Sequence, residues 1–95
     1  MKITSDGKGF YADVNGGRAE LLYKIEGNVI SMFHTYVPDE ARGQGIAEQL
    51  ALAAFDFAKR RGLRVRPDCS YIQHFVEKHA EFSGMVAYQH GPPSR

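Results

Sequence analysis

The chain of 95 residues has one cysteine, a formal net charge of only +1, and no apolar run near the roughly 18 residues that a membrane-spanning helix needs. A single cysteine cannot form an internal disulfide, and the opening MKITSDGKGF lacks the apolar stretch of a secretory signal. The near-neutral charge argues against a broadly polybasic nucleic-acid-binding protein. We therefore expect a small cytoplasmic protein, monomeric or weakly dimeric, with no membrane segment.

Two common phosphate-binding motifs are also missing. No Gly-Lys pair followed by Ser or Thr is present, which argues against a P-loop, and the loop around Gly43 and Gly45 lacks the third glycine of a dinucleotide-binding fold. The sequence therefore argues against an enzyme that acts on nucleoside triphosphates.

The order of secondary structure is predicted from the apolar periodicity. Three stretches rich in β-formers are predicted strands: GFYADV, RAELLYKI and NVISMFHTYV. The glycine-containing segments NGG and EGN lie between them and favour tight hairpins, so the first three strands are expected to be antiparallel. The apolar pattern of residues 46–61 predicts a buried helix that ends at Gly62. The segment LRV is a predicted short strand, and SYIQHFVEKHAEF is a predicted second helix. The result is one α+β domain, residues 1–95, of order βββαβα, with two principal helices and a frayed tail from about residue 90.

The stretch VPDEARGQGIAEQL, residues 37–50, is the strongest candidate for a binding site. It places Arg42, Gly43 and Gly45 between a strand and a helix, where unpaired amides and the positive end of the helix dipole favour an anion. Arg42 adds a permanent charge with several hydrogen-bond donors. The pattern predicts a phosphate-binding loop.

Cys69 and His34 are the candidate catalytic residues. Cys69 directly precedes the second predicted helix, whose dipole favours a thiolate, although a lone cysteine can also be a small buried hydrophobe. His34, near the end of the third strand, could accept a proton from an amine, or could be hydrogen-bonded within the sheet. His74, His79 and His90 have no convincing zinc-ligand spacing, so we assign no metal.

These residues resemble the GNAT superfamily of acetyltransferases, whose acetyl-CoA motif is matched by Arg42, Gly45 and Ala47. The His34-Thr35 pair and the element from Pro67 to Cys69 are similar to a minimal subgroup with a single cysteine. The resemblance implies a small GNAT-like mixed sheet and an N-acetyltransferase that uses acetyl-CoA as co-substrate and an unidentified amine as acceptor. It implies that the CoA-binding residues are Tyr36, Val37, Arg42, Gly43, Gln44, Gly45, Ile46 and Ala47.

Some roles remain open under this resemblance. Cys69 could accept the acetyl group covalently or only shape the pocket, and Ser70 could cap the second helix or bind the pantetheine. Glu77 stands where many members carry a tyrosine that protonates the leaving thiolate, and the helical pair that larger members place after their first strand is missing.

Two other functions remain open. The chain could be a non-catalytic module that binds acyl-CoA or docks to a protein. A weaker alternative is an RNA-associated domain that uses the basic cluster Lys59, Arg60, Arg61, Arg64 and Arg66, but such cations more often form a solvated face at a helix end.

Overall fold

A five-stranded mixed sheet with two helices forms the fold, and the computed structural model describes residues 1–87. The strands are β1 (Thr4–Ser5), β2 (Gly9–Val14), β3 (Gly17–Glu26), β4 (Val29–Tyr36) and β5 (Arg64–Pro67). The helices are α1 (Ile46–Arg60) and α2 (Ser70–Lys78), and the 3-10 segments are Asp39–Ala41 and Ala80–Met85. The strands lie in sequence order; neighbours from β1 to β4 are antiparallel, whereas β4 and β5 are parallel.

The predicted α+β class, mixed sheet and antiparallel hairpins are confirmed. The predicted order missed the two-residue strand β1, which is too short to give a periodic signal. The predicted second helix was also too long, because α2 ends at Lys78 and residues 80–85 form a 3-10 segment. In this segment the ring of Phe82 packs on Phe55, with the two ring centroids 5.0 Å apart. The tail predicted from about residue 90 lies outside the described residues.

Helix α1 anchors the core because its apolar residues form one stripe. The buried positions are Ile46, Leu50, Ala51, Ala54, Phe55 and Ala58, at spacings of four, one, three, one and three residues. The helix ends as predicted at Gly62, whose φ of 68° is open to glycine, and the amide of Leu63 donates to Ala58 O at 2.8 Å. This stripe packs on the sheet face that carries Leu21, among other buried residues. Within residues 1–87, neither helix has the length and apolar character that a membrane crossing demands.

A β-bulge in β4 determines which side chains face the helices. Leu22 pairs with His34 and Tyr23 pairs with Met32, so Phe33 has no opposite residue. Because paired residues share a face of the sheet, the buried Tyr23 and Met32 mark the helix-covered face, and Leu22 and His34 lie on the other face. We call this other face the outer face.

Candidate functional site

A cleft of about 720 Å³ lies between the end of β4, the start of α1 and one side of α2. Eight of the nine predicted CoA-binding residues line it, and the exception is Gln44. Gln44 instead lines a second depression of about 450 Å³, together with Asp13 and Gln49. The cleft therefore brings together residues from β4, the loop before α1 and α2, which are distant in sequence.

The start of α1 presents backbone amides to this cleft. Gly45 is the residue before the first turn, with φ 75° and no side-chain hydrogen bond capping the helix. Gly43 also has a positive φ of 82°, and a Cβ built on either glycine meets nothing within 4 Å. The first amides of a helix have no partner within the helix, so this loop offers donors and a positive dipole end to an anion. An anionic group such as a phosphate is the chemistry that these donors favour.

Arg42 is held beside the loop by its own neighbours. Its Nε donates to Val37 O at 3.1 Å, and Nη1 lies 3.2 Å from Asp39 Oδ1 in an exposed ion pair. A bound diphosphate would compete with Asp39 for the guanidinium, which is a low-cost exchange because exposed pairs contribute at most about 1 kcal/mol.

Cys69 lies at the junction between the sheet and α2. It occupies the position before the first turn of α2, as predicted, and it is half-buried. Its Sγ lies 3.7 Å from Thr35 Oγ1, and Thr35 lines the cleft although Cys69 itself does not. Beyond Met32, β4 no longer pairs with β5, since the last pair is Met32 with Pro67. The thiol and the threonine thus meet across the point where these two strands part.

His34 lies next to this junction but on the outer face. It does not line the cleft, and its Nε2 lies 3.2 Å from Glu20 Oε2. The bulge at Phe33 is the reason, because the extra residue turns Thr35 rather than His34 toward the helices. A group bound in the cleft and a group near His34 would therefore approach the end of β4 from opposite faces of the sheet.

Ser70 does not cap α2, since Cys69 is in the capping position and no side-chain cap bond is present. Ser70 lines the cleft, where its hydroxyl is available to a ligand. Glu77, at the position where many family members carry a tyrosine, is exposed and does not line the cleft.

Sequence reasoning missed Tyr71, which lines the cleft two residues after Cys69. Burial raises the pKa of its phenol, with smaller contributions from the negative charges of Glu48 and of a Cys69 thiolate, so the hydroxyl stays protonated. Tyr71 could have been predicted from its position in the first turn of α2, two residues after the candidate Cys69.

Basic side chains that the motif did not include also line the cleft. Lys78 and His74 line it, and Glu48, an acid in the first turn of α1, is engaged by His79 Nε2 at 2.9 Å. The ring of His79, the residue after α2, stacks on Phe75 of that helix with centroids 4.2 Å apart, so the contact with Glu48 joins the end of α2 to the start of α1. The positive charge of Lys78 favours an anionic ligand in this cleft.

A hydrogen-bonded group under the junction fixes the end of β5. Asp68 Oδ2 accepts hydrogen bonds from Ser31 at 2.6 Å and from Arg66 at 2.7 Å, and the Asp68 amide donates to Met32 O. Desolvation opposes ionisation of Asp68, but these two side-chain bonds outweigh it and lower the pKa of the carboxyl below its ordinary value. Both the side chain and the backbone amide of Asp68, the residue before Cys69, are therefore hydrogen-bonded to β4.

Most arginines of the basic cluster contact residues nearby in the fold. Arg60 pairs with Asp56, Arg64 donates to Val86 O, and Arg61 stacks on Phe57 at 4.9 Å. This arrangement agrees with the solvated-face interpretation. In residues 1–87, no group of three or more His, Cys, Asp or Glu side chains could hold a metal ion.

Known proteins resemble this chain in sequence and in fold. The model of the GCN5-related N-acetyl-transferase family matches residues 9–85. Protein NATD1 of Bos taurus is 46% identical over 72 residues, which are 73% of this chain and 64% of that protein. Protein NATD1 of Gallus gallus is 43% identical over 72 residues, covering 73% and 66% respectively. The chain thus matches just under two thirds of these relatives' length.

A solved structure shows the same architecture. The solution structure of a GCN5-like protein from Staphylococcus aureus superposes with a TM-score of 0.75 at 26% identity, covering 99% of this chain and 97% of that one. Since the family model spans most of the chain and the fold agrees over nearly all of it, the chain belongs to the GCN5-related N-acetyltransferase family.

Proposed function

We propose that the protein transfers an acetyl group from acetyl-CoA to an amine. The observation that carries this proposal is the uncapped start of α1, where Gly43 and Gly45 open a backbone-lined loop into the 720 Å³ cleft. In this proposal the loop amides bind the diphosphate of CoA. Lys78 supplies further positive charge to the same ligand.

The end of β4 binds the pantetheine arm. Residues 33–36 extend beyond the paired part of β5, so their backbone edge on that side is open to a ligand that hydrogen-bonds as an added strand. Tyr36 and Val37 lie where this edge meets the cleft, and Ser70 faces them from α2. The thioester then lies near Thr35 and Cys69.

The chemistry takes place where the strands part. The acceptor amine approaches from the outer face, and its nitrogen bonds to the acetyl carbon as the carbon–sulfur bond to CoA breaks. His34 takes the proton that the amine must lose. The leaving thiolate takes a proton from a nearby donor, and we assign this role to the hydroxyl of Tyr71, which lines the cleft in the first turn of α2. Cys69 either shapes this junction or accepts the acetyl group before the amine does.

The competing function is a non-catalytic module that binds acyl-CoA through the same loop. The enzyme is supported by the place of His34 near the point where β4 and β5 part, because a general base there could reach an acceptor amine. The arginine cluster, by contrast, offers little support for an RNA-associated domain, since its members are engaged locally.

The test combines binding with chemistry. Acetyl-CoA is titrated into the protein by calorimetry, and intact-mass spectrometry then records whether the protein gains an acetyl group. Thiol release is followed in parallel with a panel of primary amines. Saturable binding with amine-dependent CoA release supports the enzyme. Binding without release for any amine supports the module, and no binding refutes both.

A further inference from the structure

The carboxylate of Glu20 is the partner that the outer face gives to His34. Glu20 lies on β3 opposite Tyr36, and His34 lies on β4 opposite Leu22, so the two are diagonal neighbours on one face. Their facing atoms, His34 Nε2 and Glu20 Oε2, are 3.2 Å apart. The Glu20 side chain is only 27% exposed, compared with 45% for His34. The carboxylate is thus the more buried of the two groups.

This contact determines which imidazole nitrogen can act as a base. A neutral imidazole has one N–H donor and one nitrogen with a free lone pair. With Nε2 against a carboxylate, the proton is assigned to Nε2 because it donates to Oε2, and Nδ1 keeps the lone pair. When Nδ1 takes a proton, the positive charge that develops on the ring lies beside the negative charge of Glu20. This is the arrangement of a base held by a third group.

Glu20 has no competing partner in the described part of the chain. Within residues 1–87, the only side-chain partner of Glu20 is His34. Arg18, the nearest cation along the same strand and face, lies over the ring of Tyr11 at 4.2 Å from its centroid. The pairing of β3 with β4 holds Glu20 and His34 as diagonal neighbours on the outer face.

We propose that Glu20 is a positioning residue that holds the His34 imidazole with Nδ1 available to the acceptor amine. The proposal rests on the proposed function, since it assigns a role in that reaction. Glu20 acts through His34 and does not touch CoA.

The experiment is a double-mutant cycle with steady-state kinetics. Glu20→Leu removes the hydrogen-bond acceptor at similar size, Glu20→Gln keeps an acceptor oxygen, and both are combined with His34→Gln. Glu26→Leu is the matched control, because Glu26 is an exposed acid on the same strand at its far end, paired with Val29. We expect Glu20→Leu to lower kcat by about 10- to 100-fold, the range for a misplaced reacting group, with the KM for acetyl-CoA unchanged. Glu20→Gln should restore much of this loss.

The cycle gives the decisive result. In the His34→Gln background, Glu20→Leu should cost nothing more, since a residue that acts only through His34 has no effect once His34 is gone. Nitrogen-15 NMR of the imidazole supplies a second readout: the Nε2–H proton of His34 should be visible in the parent and in Glu20→Gln, and lost in Glu20→Leu.

Three outcomes would overturn the proposal. If the losses of kcat in the two single variants add up in the double variant, Glu20 acts independently of His34. If Glu20→Leu leaves kcat unchanged while His34→Gln lowers it, Glu20 has no role in the reaction. A loss of equal size in Glu26→Leu would indicate general destabilisation. Failure of the proposed function is distinct, since the parent protein would then release no CoA with any amine.

Discussion

Gly45 offers the sharpest test of the phosphate-binding loop, because its effects on folding and on binding can be separated. Its φ of 75° lies in the left-handed region, where a side chain costs about 1–2 kcal/mol. No atom lies within 4 Å of a Cβ built there, so Gly45→Ala adds no clash to the folded protein. We therefore expect the free energy of unfolding to fall by about 1–2 kcal/mol, measured by chemical denaturation.

The binding effect has a different origin. A methyl group at the cleft would hold the diphosphate away from the loop amides, and a hydrogen bond to a charged group contributes about 1.5–3 kcal/mol. Loss of one such bond weakens CoA binding by about 10- to 150-fold, measured by calorimetry on protein shown to be folded.

Gly62 provides the matched control. Its φ is 68°, a Cβ there also meets nothing within 4 Å, and it lies at the other end of the 15-residue helix α1, roughly 22 Å away. Gly62→Ala should lose the same stability and keep the parent affinity for CoA. Equal affinities in Gly45→Ala and the parent would refute the loop assignment, and equal losses in both variants would attribute the effect to stability alone.

Three further results are expected. His34→Gln should bind acetyl-CoA nearly normally and lose on the order of 10² to 10⁴ in turnover; an unchanged rate with every acceptor would remove His34 as the base. Half-buried Cys69 should react with iodoacetamide in the native protein, and CoA should slow that reaction, whereas labelling that needs denaturant would place the thiol in the core. Because the Asp68 pKa is lowered, its stabilising contribution is present above pH 3.8 and is lost as the pH falls through the lower folded value. Asp68→Asn should therefore lose less stability than the parent on acidification below about pH 4, by under about 1 kcal/mol since the pair is partly exposed.

The sequence by itself determined the features that depend on neighbouring residues. The helix α1, its end at Gly62 and the loop with Gly43 and Gly45 were all predictable, because apolar spacing and glycine both act on the local backbone. The strands β2 to β4 were predictable for the same reason. The short strand β1 and the 3-10 segment after α2 were not, since contacts with distant residues stabilise them.

Only the tertiary structure decided how the candidate site is arranged. The bulge at Phe33 shifts the register by one residue, and a shift of one residue moves each following side chain to the opposite face. The bulge therefore turns Thr35 toward Cys69 and His34 toward Glu20. The sequence of β4 alone does not predict these contacts. Both pairings join residues from different elements of the chain. Their geometry follows from strand register and packing, which local sequence patterns do not encode.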